Sequence, residues 1–127
     1  MKKAVHTDSA PAAIGPYSQG MAFKELVFTS GQLPLDPKTM VFVEGGIEEQ
    51  ARQSLANLKA VLEESGASLA SVLKTTCLLS DMKDFAAFND VYTEVFGTEA
   101  APSRTCFEAA RLPKDALVEI EAIAFIN

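Results

Sequence analysis

The sequence is poor in the side chains on which most catalytic sites are built. One of its 127 residues is histidine, His6, which excludes a histidine-rich zinc site. A Cys–His or Ser–His pair would have to recruit His6 from the N-terminal arm, and chain ends are usually held loosely. Two cysteines, Cys77 and Cys106, stand far apart without CxxC or framework spacing, so free thiols in a reducing cytoplasm are the simplest reading. The glycines form neither GxGxxG nor a P-loop, and no acidic run has Ca²⁺-loop spacing. Basic clusters are missing too. With 17 acidic against 11 basic residues the net charge is −6, which makes nucleic acid and anionic membrane poor partners. No apolar run approaches a membrane span, and "MKKAVHTDSAPAAIGPYSQG" lacks the apolar core of a signal peptide.

What is present describes one α+β domain over residues 1–127, with 48% hydrophobic residues and mixed charges. "ELVFTSG" (25–31) reads as a strand, and "GPYSQGMAF" (15–23) before it as extended, with Gly20 accommodating a bend. A helix is expected over 46–65, stopped by Gly66. Its stripe Ile47, Ala51, Leu55, Leu58 and Leu62 faces inward, while Glu48, Gln50, Arg52, Lys59 and Glu63 face water. "SVLKTTCLLS" (71–80) is a second strand. Asp81 then caps a second helix ending near Phe96, with Gly97 beyond. "SRTCFEAA" (103–110) and "LVEIEAIAFI" (117–126) are strands whose short connection, "RLPKDA", predicts an antiparallel hairpin. The order is β-β-α-β-α-β-β. Two helices can cover one face of such a sheet, so the other face calls for a further copy of the chain.

Few residues are candidates for chemistry. Alternation puts Arg104, Cys106 and Glu108 on one strand face. An arginine fork there can bind a carboxylate through two parallel hydrogen bonds; the plainer use is an ion pair with Glu108, Glu119 or Glu121. Cys106 lacks a local base and reads as packing, as does Cys77. Glu119, between Val118 and Ile120, must be paired or have a raised pKa suited to acid–base work. Tyr17 and Ser30 are hydroxyls at strand or loop ends, open to binding or to turn hydrogen bonds. Asn89 reads as a solvated helix position unless a pocket abuts it.

"APAAIGPYSQG", "TSGQLPLDPKT", "ARQSLANLKAVLEESG", "KTTCLLSDMKDFAAFNDVY" and "SRTCFEAARLPKDALVEIEAIA" together resemble the RidA (YjgF) family, from about residue 8 to 126. Members are reactive-intermediate deaminases, also called 2-iminobutanoate/2-iminopropanoate deaminases. The resemblance implies a chorismate mutase-like α+β fold: a mixed or antiparallel sheet with two helices on one face, assembled as a homotrimer with clefts between subunits. Carried over by position, Arg104 grips the substrate carboxylate and Glu119 holds the hydrolytic water, across the hairpin from one another. Tyr17, Ser30, Gly31, Asn89 and Cys106 match other cleft positions, the cysteine contributing by place and backbone. The implied substrates are enamines and imines released by PLP-dependent dehydratases, and the implied chemistry needs neither metal nor organic cofactor. The same cleft without catalysis would be a binding module for small 2-oxo acids, but that use has no need of Glu119. Some family names suggest ribonuclease, translation inhibitor or chaperone, and the −6 charge argues against RNA cleavage. The chain departs from the family in having Met40 where a glycine usually follows "PKT". It also has a short "FGTEAAPSR" segment with Ala101 before Pro102.

Overall fold

A computed structural model describes residues Met1–Asn127. The elements in chain order are β1 (Lys3–Val5), β2 (Gly20–Phe23), β3 (Leu26–Thr29), α1 (Ile47–Glu64), β4 (Val72–Leu79), α2 (Phe85–Phe96), β5 (Ser103–Glu108) and β6 (Val118–Phe125). All strands join one sheet in the order β1-β2-β3-β6-β4-β5. Every neighbouring pair is antiparallel except β4 and β5, which are parallel. The α+β class and the mixed sheet agree with expectation.

The expected β5–β6 hairpin does not form. β4 lies between the two strands, pairing Cys77 with Cys106 on one side and with Ile120 on the other. The reason is the helix before β5. A β–α–β order brings its second strand back parallel beside the first, and α2 is that crossover. The "RLPKDA" connector carries the chain past the end of β4, where Ala109 N–H donates to Leu79 O and Ser80 N–H to Leu117 O. Its tight turn puts Lys114 and Asp115 in left-handed backbone.

β1 was not expected. It lies antiparallel to β2, and the buried side chain of Gln19 ties the following arm down. Gln19 Oε1 accepts from Thr7 N–H at 2.7 Å, and its Nε2 donates to Thr7 O and Pro11 O. The arm is therefore held, not loose. Residues 15–19 precede the strand proper, and Gly20 is no bend. It is a buried strand residue at which a Cβ would meet Val61 Cγ1 at 3.1 Å.

α1 begins where Gly46 N–H donates to the Glu49 carboxylate at 2.8 Å, and Gly66 turns the chain out at φ +91°. Ala51, Leu55, Leu58, Val61 and Leu62 are buried, each large side chain contributing about 1.5–3 kcal/mol of burial before entropy is counted. Gln50 is buried rather than solvated, because its Oε1 accepts from Leu117 N–H at 2.9 Å. Asp81 caps a single 3₁₀ turn over Met82–Asp84, from which α2 continues to Phe96.

The helices and the core occupy one sheet face, where Val27, Cys77, Leu79, Val118, Ile120 and Ala124 are all buried. The opposite face is uncovered, as expected. Phe23, Leu26, Phe28, Phe107 and Phe125 stand 38–49% exposed along it, with the carboxylates of Glu119 and Glu121 among them. No helix is long and apolar enough to cross a membrane.

Candidate functional site

The candidate residues fall into two clusters on opposite faces of the sheet. The first surrounds a cavity of about 690 Å³ at the β3–β6 end, lined among others by Tyr17, Ser30, Gly31, Met40, Lys114 and Glu119. The segment after β3 is fixed to β6 by a two-way backbone pair. Gln32 N–H donates to Ile120 O at 2.8 Å, and Ile120 N–H returns a bond to Gln32 O. That pairing presses Gly31 against Glu119, where a Cβ would lie 2.5 Å from Oε2 and 2.8 Å from Cδ. Only glycine leaves the Glu119 carboxylate in this place. Ser30 is anchored rather than free, its hydroxyl donating to Ser18 O at 2.6 Å and its N–H to Gln19 O. Tyr17 is exposed at the cavity rim.

Glu119 is half-buried and has no ion-pair partner. Burial pushes its carboxyl above the usual range, and the neighbouring charge of Glu121 pushes it the same way. Both effects make the carboxylate a stronger base, suited to accepting a proton near neutral pH. The cavity wall further includes Asn57-held chain: Asn57 Nδ2, buried on α1, donates to Leu33 O at 3.0 Å and Leu35 O at 2.9 Å. Met40 takes left-handed backbone at φ +59°, with its N–H on Asp36 O at 2.8 Å.

The second cluster lies at the free edge of the sheet. Arg104, half-buried on β5, points to the helix side, where Nη1 donates to Asn89 Oδ1 at 2.8 Å. Its guanidinium lies 4.7 Å from the Tyr92 ring centre and 5.5 Å from that of Phe85. No carboxylate pairs with it, so the ion pairs weighed from the sequence are absent. Glu108 instead accepts from Met82 N–H at 2.8 Å. Asn89 is thus a partner of Arg104, not a merely solvated residue.

Cys106 sits one pleat beyond Arg104 on the same face. Burial pushes its thiol up and Arg104 pulls it down by less, so it rests as a thiol. Cys77 beside it, fully buried, is pushed up to about 12. Ala109 N–H donates to Leu79 O, and a parallel ladder alternates. Residues 105 and 107 therefore bond to β4, while the backbone groups of Arg104 and Cys106 point out from the edge.

Arg104 and Glu119 do not meet within one chain. β4 separates their strands, and they project from opposite faces, Arg104 on the side of Thr75 and Glu119 on the side of Leu78. Sequence reasoning missed Gln19, Asn57, Lys114 and the aromatic bed of Arg104. Gln19 and Asn57 resemble ordinary polar positions, but the NxxY spacing of Asn89 and Tyr92 on one helix face was a usable signal. No three His, Cys, Asp or Glu side chains are placed to hold a metal ion.

A family model described as Endoribonuclease L-PSP matches residues 7–126. A RutC family protein of Pyrococcus horikoshii is 52% identical over 125 residues, covering 98% of each chain. A 2-iminobutanoate/2-iminopropanoate deaminase of Salmonella typhimurium is 50% identical over 127 residues, again covering 98% of each. Among solved structures, E. coli TdcF with bound serine superposes with a TM-score of 0.92 at 44% identity, covering 98% of this chain and 99% of that one.

Proposed function

The chain belongs to the Endoribonuclease L-PSP family, the RidA (YjgF) family, and on that premise we propose that it is an imine deaminase. It hydrolyses 2-aminoacrylate, 2-iminopropanoate and 2-iminobutanoate to 2-oxo acids and ammonia. The observation that carries this reading is the pairing of an arginine without a carboxylate partner, Arg104, with an unpaired carboxylate in a cavity, Glu119.

Arg104 takes the substrate carboxylate on the edge of its guanidinium left free by Asn89, and the outward backbone N–H of Cys106 supports the bound acid. The enamine first gains a proton at its terminal carbon and loses one from nitrogen, becoming the imine. Glu119 then takes a proton from water as the water oxygen bonds to the C=N carbon, and that proton passes on to the imine nitrogen. The hydroxyl proton of the resulting carbinolamine then moves to nitrogen as the C–N bond breaks and C=O forms, releasing ammonia. Gly31 leaves room for the carboxylate that manages these protons. Imines of this kind also hydrolyse in water, so orientation and proton transfer are the enzyme's whole task. Serine, bound by TdcF, is a small acid with nitrogen at the same carbon, as in the proposed substrates.

The two clusters form one site when the β5 edge of one copy meets the Glu119 cavity of another. Those surfaces differ and lie on opposite faces, so copies join head to tail, and where the rotation between them closes such contacts form a ring. A ring of three gives three clefts and covers the apolar sheet face. The family description speaks of an endoribonuclease, but a net charge of −6 without a basic cluster argues against RNA cleavage.

The test is release of pyruvate and ammonia from 2-aminoacrylate generated in situ by a dehydratase. Wild type should exceed the spontaneous rate and Arg104→Ala should fall back to it. If wild type and Arg104→Ala both matched the spontaneous rate, the enzyme reading would be wrong.

A further inference from the structure

We infer that Tyr92 is a positioning residue for Arg104, holding the guanidinium in the plane from which it receives a carboxylate. The inference rests on the proposed role of Arg104 and extends it to a residue that does not touch substrate.

The ring of Tyr92 is unusually well fixed. It is 6% exposed, and its hydroxyl lies 2.7 Å from Thr75 Oγ1. Thr75 is fully buried and is the direct cross-strand partner of Arg104. The three residues therefore close a triangle: Thr75 and Arg104 joined through the β4–β5 ladder, Thr75 and Tyr92 through a hydrogen bond, and Tyr92 and Arg104 through a face contact of 4.7 Å. Phe96 and Phe88 flank the Tyr92 ring, with centroids at 4.6 and 5.8 Å. Phe85, Asn89, Tyr92 and Phe96 share one face of α2 by their spacing, so a single rigid helix presents the bed.

The geometry suits a clamp. An aromatic face attracts the guanidinium while using none of its five N–H donors. Asn89 takes one donor at Nη1, and the remaining edge stays available to a ligand. A long side chain with several torsions is thereby ordered before substrate arrives, which lowers the entropy lost on binding. An ion pair would have ordered Arg104 equally well, but would have competed with the substrate carboxylate. An aromatic bed orders without competing.

The experiment compares Tyr92→Leu, Tyr92→Phe and Phe85→Leu with wild type, reading kcat and KM on 2-aminoacrylate, 2-oxobutanoate binding by calorimetry, and thermal melting. Tyr92→Leu removes the ring and should raise KM about tenfold, with kcat changed much less. Tyr92→Phe keeps the ring and should stay within about threefold of the wild-type KM. Phe85 is only half-buried, so Phe85→Leu should fold even where Tyr92→Leu does not, and should raise KM about threefold. A purely structural role would lower the melting temperature and the active fraction without moving KM or 2-oxobutanoate affinity. If wild type accelerates deamination, Arg104→Ala abolishes it, and both leucine variants keep wild-type KM and affinity, this inference falls and the proposed function stands. If wild type shows no acceleration, both fall.

Discussion

Three residues carry most of the proposed chemistry, and each answers to a distinct physical constraint. Arg104 is ordered without being neutralised. Glu119 is held at a cost, because burial and Glu121 both oppose its charge. The sign of that cost can be worked out. A carboxyl whose folded pKa exceeds its ordinary value of 4.5 favours the folded state when protonated, so its stabilisation is complete below that value and lost as pH rises through the raised pKa. Glu119→Gln should therefore melt above wild type near neutral pH, with the difference vanishing in acid. The same variant should lose on the order of 10²–10⁴ in kcat, the usual contribution of a positioned acid–base group. Wild-type kcat/KM should fall on the acid side around a pKa above the ordinary glutamate range. A pH–rate profile and melting curves at several pH values check all of this together. Gly31 supplies the space. Gly31→Ala puts a methyl where Glu119 Oε2 now lies 2.5 Å away, and the displaced carboxylate should cost kcat about a hundredfold while KM changes less. Steady-state kinetics of the purified variant would show it.

Elements decide which residues can meet, and here the sequence was legible in part. The stripe on α1, the stops at Gly66 and Gly97, and the strand patterns of β4 and β6 were read nearly to their boundaries. They are governed by local spacing and by turn residues. Strand partners are not. The "RLPKDA" connector is short enough for a hairpin, yet β5 pairs with β4, because the α2 crossover decides the neighbour and the short connector only follows. Candidate residues were legible one by one, but their division between two sheet faces was not, since it depends on that pairing. Polar residues inside helices also misled. Asn57 looks like a surface position and is buried, its side chain bonded to Leu33 O and Leu35 O in the cavity wall. Asn57→Ala should destabilise the chain by about 1–3 kcal/mol, the cost of stranding buried carbonyls. Urea denaturation would read it as a lower midpoint with an unchanged slope. Met40 is the reverse case, a departure noticed in the sequence whose meaning lay in the backbone. It sits at φ +59°, where an L side chain pays about 1–2 kcal/mol, and it lines the cavity.

The whole molecule presents two surfaces that need covering and two half-sites that need joining. The face bearing Phe28, Phe107 and Phe125 is too apolar to be left to water over such a stretch, and the Glu119 cavity opens beside it. The proposed ring of copies would meet both needs, and it would make the active site a property of pairs of chains. This is directly measurable. Arg104→Ala and Glu119→Gln are each expected to be inactive, since every cleft in either assembly lacks one essential group. Mixed by unfolding and refolding together, the two variants should regain activity, because some clefts then take Arg104 from one copy and Glu119 from its neighbour. For random equal mixing, about one quarter of the clefts are complete, so roughly a quarter of wild-type activity should return. A mixture no more active than the separate variants would contradict the shared site.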